Sequence, residues 1–338
     1  MALSVDGHWT WRDGSVFVTG ATGLVGSALV RQLLEGGARV TCLVRDWVPD
    51  AELFRNGDAD RVSIVWGDVT DRSCLARALG DAEASTVFHL AAQTIVGIAN
   101  RHPLSTFETN IGGTWRLLEA CRELSTIRQI VLASSDKAYG SQDSVALRED
   151  MALSARHPYD VSKACGDFIA RAYATTYDLP VAIARCCNLF GGGDLNFSRL
   201  VPSVIRSVLK GDRPVIRSDG TYVRDYMYVT DAARGYLALA ERLAMRPQLR
   251  GEAFNFSTER RLSVIDLMKL VLGLMGSGLE PVVLNEVKNE IHHETVSATK
   301  SRELLGWAPR VSLEQGLIET IGWYRGFYGE AQPNDTAG

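Results

Sequence analysis

The segment Gly20-Ala21-Thr22-Gly23-Leu24-Val25-Gly26 constrains this chain more than any other. It follows Ser15-Val16-Phe17-Val18-Thr19, a short apolar run rich in β-branched residues, and it opens a helical periodicity over 23–34. Glycines at this spacing permit a tight strand-to-helix turn and let a backbone approach a pyrophosphate. The start of the following helix turns its N–H groups and its positive dipole end toward that anion. A glycine turn by itself is often only a turn. Here Gly36-Gly37 ends the helix and 40–44 reads as a second apolar strand, so the turn belongs to the opening βαβ of a parallel sheet.

The rhythm continues. Further strands are expected at 62–65, 86–90, 129–133 and 181–185, with helices over 106–124 and 160–177. Strands alternating with helices, and nearly continuous in apolar character, predict a Rossmann-type α/β fold: a doubly wound parallel sheet covered on both faces. Past Arg185 the pattern loosens into loops from Gly191-Gly192-Gly193, with helices expected at 200–209, 264–274 and 313–324. The reading is a dinucleotide-binding domain over 1–187, with return segments about 225–257. A smaller, mostly helical substrate domain over 188–328 is interleaved with it, and the tail from Gly329 is expected to fray.

Composition excludes several functions. Lys and Arg number 36 against 40 Asp and Glu, a formal net charge of -4, so nothing favours a nucleic-acid backbone as partner. The six cysteines show no CxxC or metal-ligand spacing and read as reduced thiols of a cytoplasmic protein. His292 and His293 likewise have no ligand partners at useful spacing, and no metal is expected. The first 13 residues lack an apolar signal-peptide core, and no apolar run reaches membrane-spanning length.

Two positions bear on the cofactor. The second strand ends in Val44-Arg45-Asp46. A carboxylate there binds the ribose hydroxyls of NAD, whereas an arginine accepts the extra phosphate of NADP. Both charges are present, so the choice between NAD and NADP stays open, and Arg45 tilts it toward NADP. Asp68, after the third strand, is placed to reach the adenine. Downstream, Tyr159 and Lys163 stand four apart on one helix face. A lysine ammonium and the positive nicotinamide both lower a phenol's pKa, and the phenolate can then take the proton from an alcohol. A tyrosine four residues before a lysine is common by chance; below a glycine turn of this kind it points to alcohol oxidation.

Six segments together complete the picture: Thr19 to Gly26 (TGATGLVG), Gly67 to Asp71 (GDVTD), His89 to Gln93 (HLAAQ), Ser134 to Gly140 (SSDKAYG), Tyr159 to Lys163 (YDVSK) and Arg224 to Asp231 (RDYMYVTD). With them the chain resembles the extended short-chain dehydrogenase/reductase family of nucleotide-sugar enzymes from about Val16 to Tyr324. The resemblance implies a triad of Ser135, Tyr159 and Lys163, in which Ser135 orients the sugar hydroxyl. It implies further dinucleotide contacts from Gly20, Thr22, Gly23, Leu24, Val25, Gly26, Val69, Leu90, Ala91 and Ala92. Gln93, Asn188, Arg199, Leu200, Ile216, Arg217 and Arg224 fall around the nucleotide diphosphate and its sugar or base, and Arg224 is the firmest of them.

Ser135-Asp136-Lys137 narrows the reaction. Simple 4-epimerases of the family carry small residues after the serine or threonine, whereas 4,6-dehydratases place two ionisable groups there, usually Asp then Glu. The CDP-glucose 4,6-dehydratases look most similar, with Asp then Lys and a GGGD segment like Gly191 to Asp194. The resemblance makes Asp136 the acid. Lys137 would serve as the C5 base only if burial or the cofactor's charge favours its neutral form. The alternatives are a nucleotide-sugar 4-epimerase or 4-reductase, in which Asp136 and Lys137 form a structural ion pair, and a non-catalytic NAD(P) sensor on the same fold, against which the intact Ser135, Tyr159 and Lys163 argue. Family members usually dimerise through two helices, here 106–124 and 160–177, so a homodimer is expected.

Overall fold

The computed structural model of the chain describes residues 10–142, 146–286 and 295–329. His292, His293, most of the N-terminal segment and the tail past Gly329 lie outside the described residues. The first half alternates as expected. It contains β1 (Ser15–Thr19), α1 (Leu24–Glu35), β2 (Arg39–Val44), β3 (Ser63–Trp66), α2 (Arg72–Asp81), β4 (Thr86–His89), α3 (Gly113–Arg122), β5 (Gln129–Ser135), α4 (Pro158–Tyr177) and β6 (Val181–Cys186). The second half adds α5 (Leu200–Leu209), α6 (Val229–Met245), β7 (Ala253–Phe256), α7 (Val264–Leu274) and α8 (Leu313–Tyr328), together with short two-stranded ribbons.

Seven strands form one parallel sheet in the order β7-β6-β5-β4-β1-β2-β3. Every residue of β1 is buried. Side chains of a strand alternate between faces, so Val16 and Val18 enter one core while Phe17 enters the other. The first core is closed by α1 and α6, through Leu29, Leu33, Ala232 and Leu239. The second is closed by α2, α3 and α4, through Leu75, Leu117 and Ala170. A third cluster, including Val204, Leu267 and Leu317, joins α5, α7 and α8 beyond the carboxyl end of the sheet. Among the described residues no helix is long and apolar enough to cross a membrane.

Several elements differ from the sequence expectation. Helix α2 is absent from it, although Asp71 caps its start by accepting from the Cys74 N–H at 3.0 Å. The expected helix over 106–124 is interrupted. A short helix, Pro103–Phe107, passes through a π turn, Glu108–Gly112, before α3 begins. The wider turn accommodates Asn110. Its Oδ1 accepts from the Gln93 N–H at 2.7 Å, and its Nδ2 donates to the Gln93 carbonyl at 3.1 Å and to Ser162 Oγ at 2.9 Å. Single π turns inside helices recur at functional sites.

Candidate active site

The strand order reverses between β1 and β4, and in open α/β sheets ligands bind outside the carboxyl ends of the strands at such a reversal. A cleft with a volume of about 1230 Å³ opens there. It is lined by the glycine turn, Gly20 and Thr22 to Gly26, by Arg45 and Asp46, by Asp68 and Val69, and by Leu90, Ala91 and Ala92. The same cleft takes in Ser135, Asp136, Lys137, Tyr159 and Lys163, and on its far side Asn188, Arg199, Leu200, Ile216, Arg217 and Arg224. Gln93 is set apart from this lining. Its side-chain oxygen accepts from the Ile95 N–H at 2.8 Å, and Asn110 holds its backbone, so it shapes the loop after β4 instead of facing the cleft.

The turn after β1 fits a pyrophosphate. Gly20 has φ +76°, and a Cβ on it would lie 2.6 Å from the Ala91 nitrogen, so only glycine lets the two strand ends approach this closely. A Cβ on Gly26 would collide with the Gly20 carbonyl. Gly23 begins α1 with no side-chain cap, and no acidic residue stands in the first turn. The chain therefore leaves the positive end of α1 open to an anionic ligand. The crevice wall is tied across the strands by Thr19, whose Oγ1 lies 2.8 Å from His89 Nδ1 and accepts from the Ala91 N–H at 3.2 Å. Burial lowers the His89 imidazole to about 3, so it packs as a neutral strut.

The reactive side chains come from two elements. Pro158 stands at the first turn of α4, where a missing N–H costs nothing, and Tyr159 and Lys163 follow on one face. Lys163 is 8% exposed and donates from Nζ to the Ala133 carbonyl of β5 at 2.8 Å. Burial lowers its ammonium to about 8, against the pull of the Asp167 carboxylate. Tyr159 is pushed up to about 12 by burial, while the charge of Arg199 and a hydrogen bond with Ser135 draw it back down. The Asp136 and Asp160 carboxylates oppose Arg199, and Lys163 stands 5.9 Å from the ring centre. Ser135 ends β5, donates from Oγ to Asp136 Oδ1 at 2.9 Å and accepts from the Lys137 N–H at 3.2 Å. Asp136 is 4% exposed, and Lys137 is half-buried beside it.

On the far side, Asp194 Oδ2 accepts from Arg199 Nη1 at 3.0 Å, and its Oδ1 takes the Asn196 N–H at 3.0 Å. Arg224 is buried, with Nη1 donating to the Val223 carbonyl at 2.9 Å. Asn188 Nδ2 donates to the Asp225 carbonyl at 3.2 Å. Sequence reasoning did not single out Asn110, whose place below the site depends on the π turn, nor Cys186 and Cys187 as cleft-lining residues. Adjacent cysteines at a strand end carry no local signal of that placement.

Comparison with known proteins agrees with this geometry. The family described as NAD dependent epimerase/dehydratase matches residues 16–255. The CDP-glucose 4,6-dehydratase of Salmonella typhimurium is 30% identical, over 93% of this chain and 91% of that protein. A solved dTDP-glucose 4,6-dehydratase from Streptomyces venezuelae, with NAD bound, is 32% identical at a TM-score of 0.82, over 93% of this chain and 98% of the other. A UDP-glucose 4-epimerase from Thermotoga maritima, solved with UDP-glucose, is 29% identical at a TM-score of 0.84, over 93% and 99%.

Proposed function

From a chain that belongs to the NAD dependent epimerase/dehydratase family, and so is a dinucleotide-dependent enzyme of nucleotide sugars, we infer a nucleotide-sugar 4,6-dehydratase. Its substrate is an NDP-hexose, CDP-glucose or similar, and its product the NDP-4-keto-6-deoxyhexose. One observation carries the choice over a 4-epimerase. Asp136 is a buried carboxylate hydrogen-bonded to Ser135, facing the same cleft as Tyr159 and Lys163. Removal of a carboxyl group from water is costly, and an epimerase needs no such group beside C5 and C6.

In this reading residues 1–187, with the return segments about 225–257, hold the dinucleotide, and 188–328 hold the sugar nucleotide. Ser135 orients the C4 hydroxyl and Tyr159 takes its proton. Lys163, fixed by the Ala133 carbonyl, adds positive charge near the phenol. A nicotinamide dinucleotide held along the Gly20–Gly26 turn, Asp46 and Asp68 would supply the redox chemistry, as hydride acceptor for C4 and hydride donor for C6. The C4 ketone acidifies the C5 hydrogen. Lys137 in its neutral form takes that proton, Asp136 in its protonated form donates to the C6 hydroxyl, which departs as water, and the proton goes back from Lys137 to C5 as C6 is reduced. C4 is oxidised by two electrons and C6 reduced by two, so one water is lost with no net redox change. Arg199, Arg217 and Arg224 bring cations to the diphosphate side of the cleft.

The cofactor in this reading is NAD. Arg45, which alone tilted the sequence toward NADP, has its Nε 2.7 Å from Asp46 Oδ2 and 3.9 Å from Asp68 Oδ2. Two carboxylates flanking the guanidinium repel a ribose phosphate. Incubation with CDP-glucose, GDP-mannose, UDP-glucose and dTDP-glucose, each with NAD or NADP, tests both points. One of them is expected to give a 4-keto-6-deoxy sugar, absorbing in alkali, with NAD. A 4-epimer as the only product, or turnover with NADP alone, would reject the corresponding half of the reading.

We also place the protein in the cytoplasm as a homodimer. Trp115, Phe168 and Tyr177 are exposed large side chains on the helices expected to pair. Sedimentation at the mass of two chains is the expected result, and a monomer at micromolar concentration would contradict it.

A further inference from the structure

Tyr139 ends the 3₁₀ turn Asp136–Tyr139, which carries the two groups assigned to the elimination. Its side chain is fully buried and has no part in lining the cleft. The hydroxyl donates to Asn255 Oδ1 at 2.8 Å and accepts from Arg185 Nη1 at 2.7 Å. The Arg185 guanidinium also lies over the phenol ring, 4.6 Å from its centre. From its Nε, Arg185 donates to Asp167 Oδ2 at 2.7 Å, and neither side chain has any solvent exposure. Asp167 follows Lys163 by one turn of α4. Asn255 is itself fixed, donating from Nδ2 to the Leu147 carbonyl at 3.0 Å and the Ser297 carbonyl at 3.1 Å.

The backbone of Tyr139 is gripped from the other side. Its carbonyl accepts from the Ser154 N–H at 3.1 Å and from Gln142 Nε2 at 3.0 Å. Gly140, at φ +65°, lets the chain turn beneath the Ser154 carbonyl, where any Cβ would collide. A phenylalanine would fill the same space but would leave the buried Arg185 Nη1 without this acceptor, a costly loss for a desolvated charge. The polar chain adds a buried link between two catalytic elements that also pack directly against each other.

We propose that Tyr139 is a positioning residue, which sets Asp136 and Lys137 in register with Tyr159 and Lys163 through the buried chain Tyr139–Arg185–Asp167. The role in elimination rests on the dehydratase reading. A misplacement of about 1 Å at a reacting centre can cost about 10²-fold. Loosening this turn therefore harms removal of the C5 proton and the C6 hydroxyl far more than oxidation at C4, which α4 and Ser135 govern.

The test is Tyr139→Phe, with Gln142→Ala as a milder variant that loosens the same turn without touching the buried chain. In single turnovers, reduced nicotinamide absorbance is expected to appear within about twofold of the wild-type rate. Formation of the 4-keto-6-deoxy sugar is expected to fall on the order of 10²-fold for Tyr139→Phe, and by a smaller factor for Gln142→Ala. Hydrogen exchange of the amides over 135–142 should quicken in both variants, whatever the reaction proves to be. A parallel loss of both steps, or unchanged exchange over 135–142, overturns the positioning role. If Tyr139→Phe does not fold, Gln142→Ala decides by the same ratio of the two steps. A wild-type chain that makes no 4-keto-6-deoxy product sinks the dehydratase reading alone, and the exchange result then decides the positioning role.

Discussion

Tyr159→Phe is expected to lower kcat by about 10²–10⁴-fold, the range in which a positioned acid or base contributes, while the protein folds and binds its dinucleotide as before. The phenyl ring keeps the packing at the start of α4, and only the proton acceptor for the C4 hydroxyl is lost. The pH profile gives a second check. Burial holds the phenol near 12 and the Lys163 ammonium near 8 in the protein alone. An ammonium carries its charge below its pKa and loses it above. Rising pH therefore first favours proton release from the phenol and then, near 8, removes the positive charge that assists it. Wild-type turnover should climb toward pH 8 and flatten or fall beyond it, and Lys163→Met should erase that inflection. A Tyr159→Phe protein within tenfold of wild type on every sugar nucleotide that wild type turns over would refute the assignment.

The parts of this site that were legible in the sequence are those fixed by backbone geometry. A turn that needs glycine at Gly20 and Gly26, and two side chains four apart on a helix, are local facts, and local facts survive into the fold. The sheet was legible for a related reason: strands buried on both faces, such as Val16-Phe17-Val18, have no polar alternation to confuse with a surface strand. What escaped was non-local. Asn110 reaches Gln93 and Ser162 only because the helix widens into a π turn, and no spacing rule announces such a turn. Gln93, grouped with the substrate residues by its neighbours in sequence, spends its side chain on the Ile95 amide. The same holds for charge. Four-residue spacing points to Lys163 beside the phenol, but it gives no sign of Arg199, forty residues away, whose charge also acts on it. Arg45 and Asp46 were both legible at the end of the second strand, but only the fold brings Asp68, from the next strand end, beside them.

Asp167→Ala should destabilise the protein by about 3–5 kcal/mol, the usual cost of stripping one partner from a buried ion pair, read as a shift of the urea midpoint. Asp167 and Arg185 have no solvent exposure and meet at 2.7 Å. Without the carboxylate, the guanidinium keeps its charge, since arginine does not discharge at accessible pH, and no water replaces the lost partner. The double variant Asp167→Leu, Arg185→Met separates uncompensated charge from lost packing. It removes both charges, so it should recover a large part of the stability; a double variant as unstable as the single one would mean that packing carries the cost. Neither variant should behave normally in turnover. The Asp167 carboxylate raises the Lys163 pKa against the lowering effect of burial. Its loss takes Lys163 further below 8, and the alkaline limb of the turnover profile should move to lower pH in both variants, including the one whose stability returns. A limb that stays in place when the carboxylate is gone would separate the buried pair from the chemistry above it.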